Sequence, residues 1–339
     1  MLRTKSGRKP YLRMLCALAI LIMLVTYVVQ KHIRSESEHA ALKGFFPFKS
    51  PQVLFEIEDE QPPMAQTPKK AEILMPKASG TVVHSNSSAA IDASNTAEGY
   101  VMVKYTGTSS KVKLQITGSS TTAYTYDLHK GRGYETFPLT SGNGSYSVNV
   151  FEHVRDSQYA LALSQKISVK LRSSLLPYLY PNQYVNYSPD SQTVAKGAEL
   201  AAGAANQLAV VQNVYNYVIQ NITYDSQKAS SVKSGYLPAV DSILKSGKGI
   251  CFDYAAVMAA MLRTQNIPTR LEVGYVSGGT YHAWVSVYLA EQGWVNGIIY
   301  FDGQSWKLMD PTFASNSGSS AGIMQFIGNG SNYSTKYVY

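Results

Sequence analysis

At 339 residues, with 45% hydrophobic and 15% charged residues, the chain has room for two or three domains and is too apolar on average to be disordered. Its net charge of +8 looks like that of a nucleic-acid binder, but Arg3, Lys5, Arg8, Lys9, Arg13, Lys31 and Arg34 all flank one apolar run. Setting these seven aside from the 30 basic residues leaves 23 to face 22 acidic ones, so the charge reports membrane topology and no nucleic-acid partner is expected.

The run itself, Met14 to Val29, reads as a single signal-anchor helix within residues 1–34. Basic residues before it keep the N-terminus cytoplasmic and place the rest outside the plasma membrane. A cleaved signal peptide shares this layout, and cleavage would release a secreted protein. No small-x-small site follows the run, where the chain reads Tyr27-Val28-Val29-Gln30-Lys31-His32, so an uncleaved anchor is expected.

Residues 35–97 are expected to form a linker: Pro47, Pro51, Pro62, Pro63, Pro68 and Pro76 precede a Ser/Asn/Ala-rich stretch. From 98 to 171 the period switches to two. Tyr100-Val101-Met102-Val103, Val112-Lys113-Leu114-Gln115-Ile116, Ser145-Tyr146-Ser147-Val148, Tyr159-Ala160-Leu161-Ala162-Leu163 and Ile167-Ser168-Val169-Lys170-Leu171 alternate between Gly/Ser/Thr turns, the pattern of a small all-β sandwich. Its tyrosines fit a half-wet strand face, so a spacer role is preferred to ligand binding.

Residues 172–339 read as a separate α+β domain. A helical region from about Thr193 to Ile222 puts Leu208, Val211, Val214, Tyr215, Val218 and Ile222 on one face. A short helix over Val240 to Lys245 leads to Gly247-Lys248-Gly249, and an Ala/Met/Leu-rich helix follows. Then come a hairpin, Thr269 to Val276 and Tyr281 to Leu289, and a second one, Gly297 to Phe301 and Ser305 to Met309.

Cys251 opens the Ala/Met/Leu-rich helix. Cys16 lies in the membrane run, so the exported part has no second cysteine to pair with it. A buried inert thiol is the ordinary reading of a lone cysteine. At a helix N-terminus, however, the macrodipole and unpaired N–H groups favour a thiolate. His282 starts the second strand of the first hairpin and is the only histidine after His153. Asp310 ends the second hairpin, before Pro311. Taken alone, His282 is a polar strand residue and Asp310 a turn former. Taken together, the three outline a nucleophile, its base and the group that orients the base. Asp253 is a weaker third member, better placed as an acid at a helix start.

The segment 176–314 resembles the transglutaminase-like superfamily in its bacterial extracytoplasmic branch. The residues that carry the resemblance are Asn221-Ile222-Thr223-Tyr224-Asp225, Gly247-Lys248-Gly249-Ile250-Cys251-Phe252-Asp253-Tyr254-Ala255, Leu262-Arg263-Thr264-Gln265-Asn266-Ile267-Pro268-Thr269-Arg270, Val273-Gly274-Tyr275, His282-Ala283-Trp284 and Trp306-Lys307-Leu308-Met309-Asp310-Pro311-Thr312. The resemblance implies a papain-like fold, a helix bundle packed on an antiparallel sheet, with a Cys251-His282-Asp310 triad. It also implies a thioester chemistry on amide bonds of a peptide, protein or cell-wall peptide, ending in hydrolysis or transamidation. Tyr224 and Trp284 are oxyanion or substrate candidates. No cofactor or metal is expected, since no acidic cluster has the layout of a calcium loop. The alternatives are a non-catalytic surface module that binds peptide or cell-wall ligands and a purely adhesive spacer.

Overall fold

The computed structural model describes residues 72–120, 122–276, 279, 281–290, 293–295, 298–301, 306–309 and 333–339. The expected membrane run, most of the expected linker and Asp310 lie outside the described residues. Among the described residues no helix is long and apolar enough to cross a membrane. The fold is mixed α and β with mainly antiparallel sheets.

Eight strands come first: β1 (Val83–Ser85), β2 (Ala89–Asp92), β3 (Tyr100–Tyr105), β4 (Val112–Thr117), β5 (Ala123–Leu128), β6 (Glu135–Pro138), β7 (Gly144–Arg155) and β8 (Gln158–Val169). They form two four-stranded antiparallel sheets, ordered β1-β2-β3-β6 and β5-β4-β7-β8. In β4 the alternation does the work: Val112, Leu114 and Ile116 are buried, while Lys113 and Gln115 are only partly covered. These side chains share one apolar cluster with Ile91, Val101 and Val103 of the other sheet.

Two expectations need correction here. The expected linker, residues 35–97, runs too far, because residues 83–92 are two strands of the first sheet. Ala89, Ala90 and Ile91 are all buried, since small side chains pack closely without leaving a long apolar signal in the sequence. Buried Asp92 is satisfied by the N–H groups of Gly80 (2.8 Å) and Ser94 (2.9 Å). The two short strands expected over Tyr159–Leu163 and Ile167–Leu171 are one strand, β8, which follows β7 through register shifts at Val150/Phe151 and His153/Arg155.

β3 is buried on both faces except at Lys104. Its outward Tyr100 and Met102 pack against Leu176, Leu179 and Tyr180 of the connector that leads to the helices. The helical region expected over 193–222 is two helices, α1 (Gln192–Ala201) and α2 (Gln207–Asn221). The break falls where the Asn206 side chain accepts from the Ala209 N–H (2.9 Å) and starts a new helix.

After α2 come β9 (Thr223–Tyr224), α3 (Ser226–Ser231), α4 (Val240–Ser246), β10 (Lys248–Gly249) and α5 (Cys251–Arg263). Every residue of α5 from Asp253 to Arg263 is buried, so the helix has no solvent face. Its alanines at 255, 256, 259 and 260 let α1, α2, α4 and the last sheet approach from all sides. Burial of each large side chain, such as Met258 or Leu262, is worth about 1.5–3 kcal/mol.

The last sheet is ordered β13 (Gly293–Val295), β12 (Tyr281–Leu289), β11 (Thr269–Val276) and β16 (Tyr333–Val338). β14 (Ile298–Phe301) and β15 (Trp306–Met309) form the second expected hairpin, as a separate two-stranded sheet. The strand that leads to Asp310 is therefore hydrogen-bonded to β14, and the strand carrying His282 is hydrogen-bonded to β11 and β13. Tyrosines join the β-rich half to this sheet: Tyr124 meets Tyr339 at 5.7 Å between ring centroids, and Tyr126 meets it at 6.0 Å.

Candidate active site

The backbone before α5 is fixed by a short parallel pairing. Thr223 and Tyr224 of β9 stand opposite Lys248 and Gly249 of β10. The Thr223 N–H donates to the Gly247 carbonyl and the Asp225 N–H to that of Gly249, both at 2.9 Å. Tyr224 is thereby held opposite Gly249, the residue two before Cys251. Tyr254 adds a third tie, its hydroxyl donating to the Ile222 carbonyl at 2.5 Å.

Cys251 is the first residue of α5, half-buried and not in a disulfide. The N-cap, Ile250, has no side-chain acceptor to offer. Instead the Asp253 carboxylate at the third helical position reaches back and accepts the Ile250 N–H at 2.9 Å. Asp253 is thus an acid of the first helical turn. A Cβ on Gly249 would lie 2.7 Å from the Asp253 Cβ, so this glycine makes room for the carboxylate's return.

His282 is the second residue of β12, buried and directly opposite Gly274 in the β11 ladder. Cys251 and His282 line the same cleft, of about 540 Å³, together with Tyr224, Tyr236, Tyr281 and Tyr339. Asp310, the third expected member, lies outside the described residues. Trp284 does not line the cleft: it is buried two residues further along β12, opposite Glu272. Both faces of β12 are covered, so sharing a face with His282 does not bring Trp284 to the cleft.

The cleft wall is aromatic and largely uncharged. Tyr184 packs at a tilt against Tyr339 (4.4 Å between centroids) and Phe252 (5.4 Å). Burial pushes the Tyr184 phenol up to about 12, and it pushes the Tyr339 phenol well above the usual tyrosine range. Both remain neutral hydroxyls at ordinary pH. Tyr281 is 53% exposed at the mouth, against Tyr275 at 5.4 Å.

Beneath the cleft, Asp253 is fully buried and has three donors. Lys228 of α3 reaches it at 2.5 Å, the Tyr236 hydroxyl at 2.6 Å, and the Ile250 N–H at 2.9 Å. Lys228 also donates to the Tyr236 oxygen at 2.6 Å. The sequence offered no sign of this triangle, because Lys228 and Tyr236 lie in a polar stretch that reads as surface loop. Tyr184 and Tyr339 also escaped notice, each far from the motifs in sequence.

With this geometry established, likeness to known proteins can be placed on it. Residues 194–297 match the family model of the core domain of the transglutaminase-like superfamily. Over that segment the chain is similar to a transglutaminase-like core, and the match takes in Tyr224, Cys251 and His282 but stops short of Asp310. The uncharacterized protein YebA of Bacillus subtilis is 27% identical over 156 residues, 39% of this chain and 21% of that protein. A protein-glutamine gamma-glutamyltransferase of Pseudomonas aeruginosa is 36% identical over 69 residues, 16% of this chain and 10% of that one. The chain thus spans only a minor part of the length of either relative. Red sea bream transglutaminase is 13% identical in a superposition covering 68% of this chain and 53% of that one, with a TM-score of 0.27.

Proposed function

We propose that the protein is a membrane-anchored, outward-facing cysteine enzyme that acts on amide bonds of peptides or proteins. The observation that carries this reading is the shared cleft: a thiol at the first position of a helix and a histidine on a long strand, facing one space. The helix start favours a thiolate, and a neighbouring imidazole can take the thiol proton.

In the proposed reaction the Cys251 sulfur attacks the amide carbonyl and forms a C–S bond. The His282 imidazolium returns the proton to the departing nitrogen as the C–N bond breaks, leaving a thioester. Water or an amine then attacks, His282 takes the proton from the attacking atom, and the thiolate leaves. The products are a carboxylic acid or a new amide. Asp310 would orient the imidazole. The Cys251 N–H, at the start of a helix, and the Tyr224 hydroxyl are the proposed oxyanion donors. The glutamyltransferase name of the Pseudomonas relative and the wall of neutral tyrosines both favour an uncharged carboxamide, such as a glutamine side chain, as the acyl donor.

The test incubates the protein with a glutamine-containing peptide and a primary-amine probe, measuring ammonia release and probe incorporation, with Cys251→Ala as control. Ammonia release that depends on Cys251 supports the enzyme. Probe incorporation in step with it marks a transferase, and ammonia alone marks a hydrolase. If Cys251→Ala changes neither signal, the reading fails for this substrate class. The membrane anchor is tested separately, by whether the chain stays with membranes after a high-salt wash.

A further inference from the structure

The triangle of Lys228, Tyr236 and Asp253 has no place in the reaction as written, yet it is built into the helix that carries the thiol. Asp253 sits at the third position of α5 and Cys251 at the first. The positive end of a helix stabilises one nearby anion readily, and a second anion in the same turn competes with it. Asp253 has no exposed surface, so water cannot screen its charge, and a buried carboxylate acts on its neighbours through a low dielectric. Its ion-pair partner is Lys228, at 2.5 Å.

We infer that Lys228 is a positioning residue for the thiol, its ammonium cancelling the Asp253 carboxylate so that the first turn of α5 still favours a thiolate at Cys251. This inference rests on the reading of Cys251 as a nucleophile.

The cation is held to the same piece of backbone as the thiol. Asp225, whose N–H is bonded to the Gly249 carbonyl, caps α3 by accepting from the Lys228 N–H at 2.8 Å. Tyr236 closes the arrangement, donating to one Asp253 oxygen while Lys228 donates to the other. Lys228 also lies over the Tyr236 ring, 4.4 Å from its centroid. Burial, and then the hydrogen bond to Asp253, hold the Tyr236 phenol above the usual range, so it stays a neutral donor.

The other titratable groups on the cleft are of a different kind. From β12 come His282 and Tyr281; from β9, Tyr224; from the loop after α3, Lys233. Tyr184 and Tyr339 complete the set, and no carboxylate is among the described lining residues. Loss of Lys228 would therefore leave Asp253 as an uncompensated negative charge within one helical turn of the sulfur.

The experiment follows alkylation of Cys251 by iodoacetamide across pH in the full chain, read by peptide mass spectrometry so that Cys16 does not interfere. Lys228→Met is expected to lower the alkylation rate near neutral pH by about tenfold, as one unpaired charge nearby does. Lys228→Arg should restore it, and Lys228→Met with Asp253→Asn should return it close to wild type by removing the anion as well. A merely structural tether moves none of these values in that order. If Lys228→Met, or Lys228→Gln should Met not fold, leaves the profile unchanged, the inference is overturned. A fast wild-type reaction that ignores Lys228 sinks this inference alone. A wild-type rate no faster than a free thiol's that still falls in Lys228→Met sinks the enzyme reading and leaves the charge compensation standing.

Discussion

Gly274 stands opposite His282 in the β11–β12 ladder, and a Cβ on Gly274 would lie 2.0 Å from the Ser334 carbonyl oxygen of β16. The strand that supports the histidine is thus pressed from its far side by another backbone, at a register shift between Val273 and Gly274. Gly274→Ala must push β16 away. We expect a stability loss of about 1–3 kcal/mol by urea unfolding, with activity falling further than stability alone explains. An unchanged midpoint would mean that β16 yields freely.

Arg263 closes α5 as a buried guanidinium, and among the described residues no acidic side chain is ion-paired with it. It donates to the carbonyls of Thr269 (3.0 and 2.8 Å), Tyr180 (2.7 Å) and Tyr339 (2.8 Å). Burial draws its pKa down to about 10, so it is still charged at neutral pH. Arg263→Ala or Arg263→Met leaves three carbonyls without their donor, and a loss of about 3–5 kcal/mol is expected in equilibrium denaturation. A loss below about 1 kcal/mol would show that water replaces the guanidinium at no cost.

Much of this arrangement could be read from the sequence, and the failures have physical causes. Cys251 and His282 stand out because each is the sole residue of its type in residues 172–339, the first beside a glycine-led helix start and the second just after a Gly-Gly pair. The hairpin over 269–289 was readable because period-two alternation and turn residues agree. Trp284 was misplaced because β12 is covered on both faces, so alternation no longer separates cleft from core. Lys228 reads as an ordinary surface charge, and only folding brings Lys228 and Arg263 to partners far along the chain. β1 and β2 were hidden by the small size of Ala89 and Ala90.

Asp241 of α4 gives a pH dependence. Burial alone would raise its pKa, but hydrogen bonds from the Thr193 hydroxyl (2.7 Å), the Thr193 N–H (2.9 Å) and the Gln192 N–H (3.1 Å) together hold it below the usual carboxylate value. A carboxyl with a depressed folded-state pKa contributes stability that is fully present above its unfolded value of roughly 3.9. That contribution is lost as pH falls through the lower folded value. Stability measured from about pH 5 down to about pH 2 should therefore drop less steeply in Asp241→Asn than in wild type. Parallel curves would show that the α1–α4 contact does not depend on the charge.

Tyr224 and Trp284 should separate by kind of effect. Tyr224 lines the cleft and is held opposite Gly249, whereas Trp284 is core. Tyr224→Phe should lower kcat by about 10²-fold, the loss of one oxyanion donor, with little change in Tm. Trp284→Phe should instead lower stability by about 1–3 kcal/mol and spare kcat in the folded fraction. The reverse pattern would remove Tyr224 from the chemistry.

The central claim is that the Cys251 thiol is activated by its helix and by His282. It is tested most directly by the pH profile of Cys251 alkylation in wild type and His282→Ala. We expect wild-type Cys251 to be alkylated near neutral pH much faster than a free thiol, and this rate to fall in His282→Ala. A wild-type rate no faster than a free thiol's, and indifferent to His282, would contradict the account.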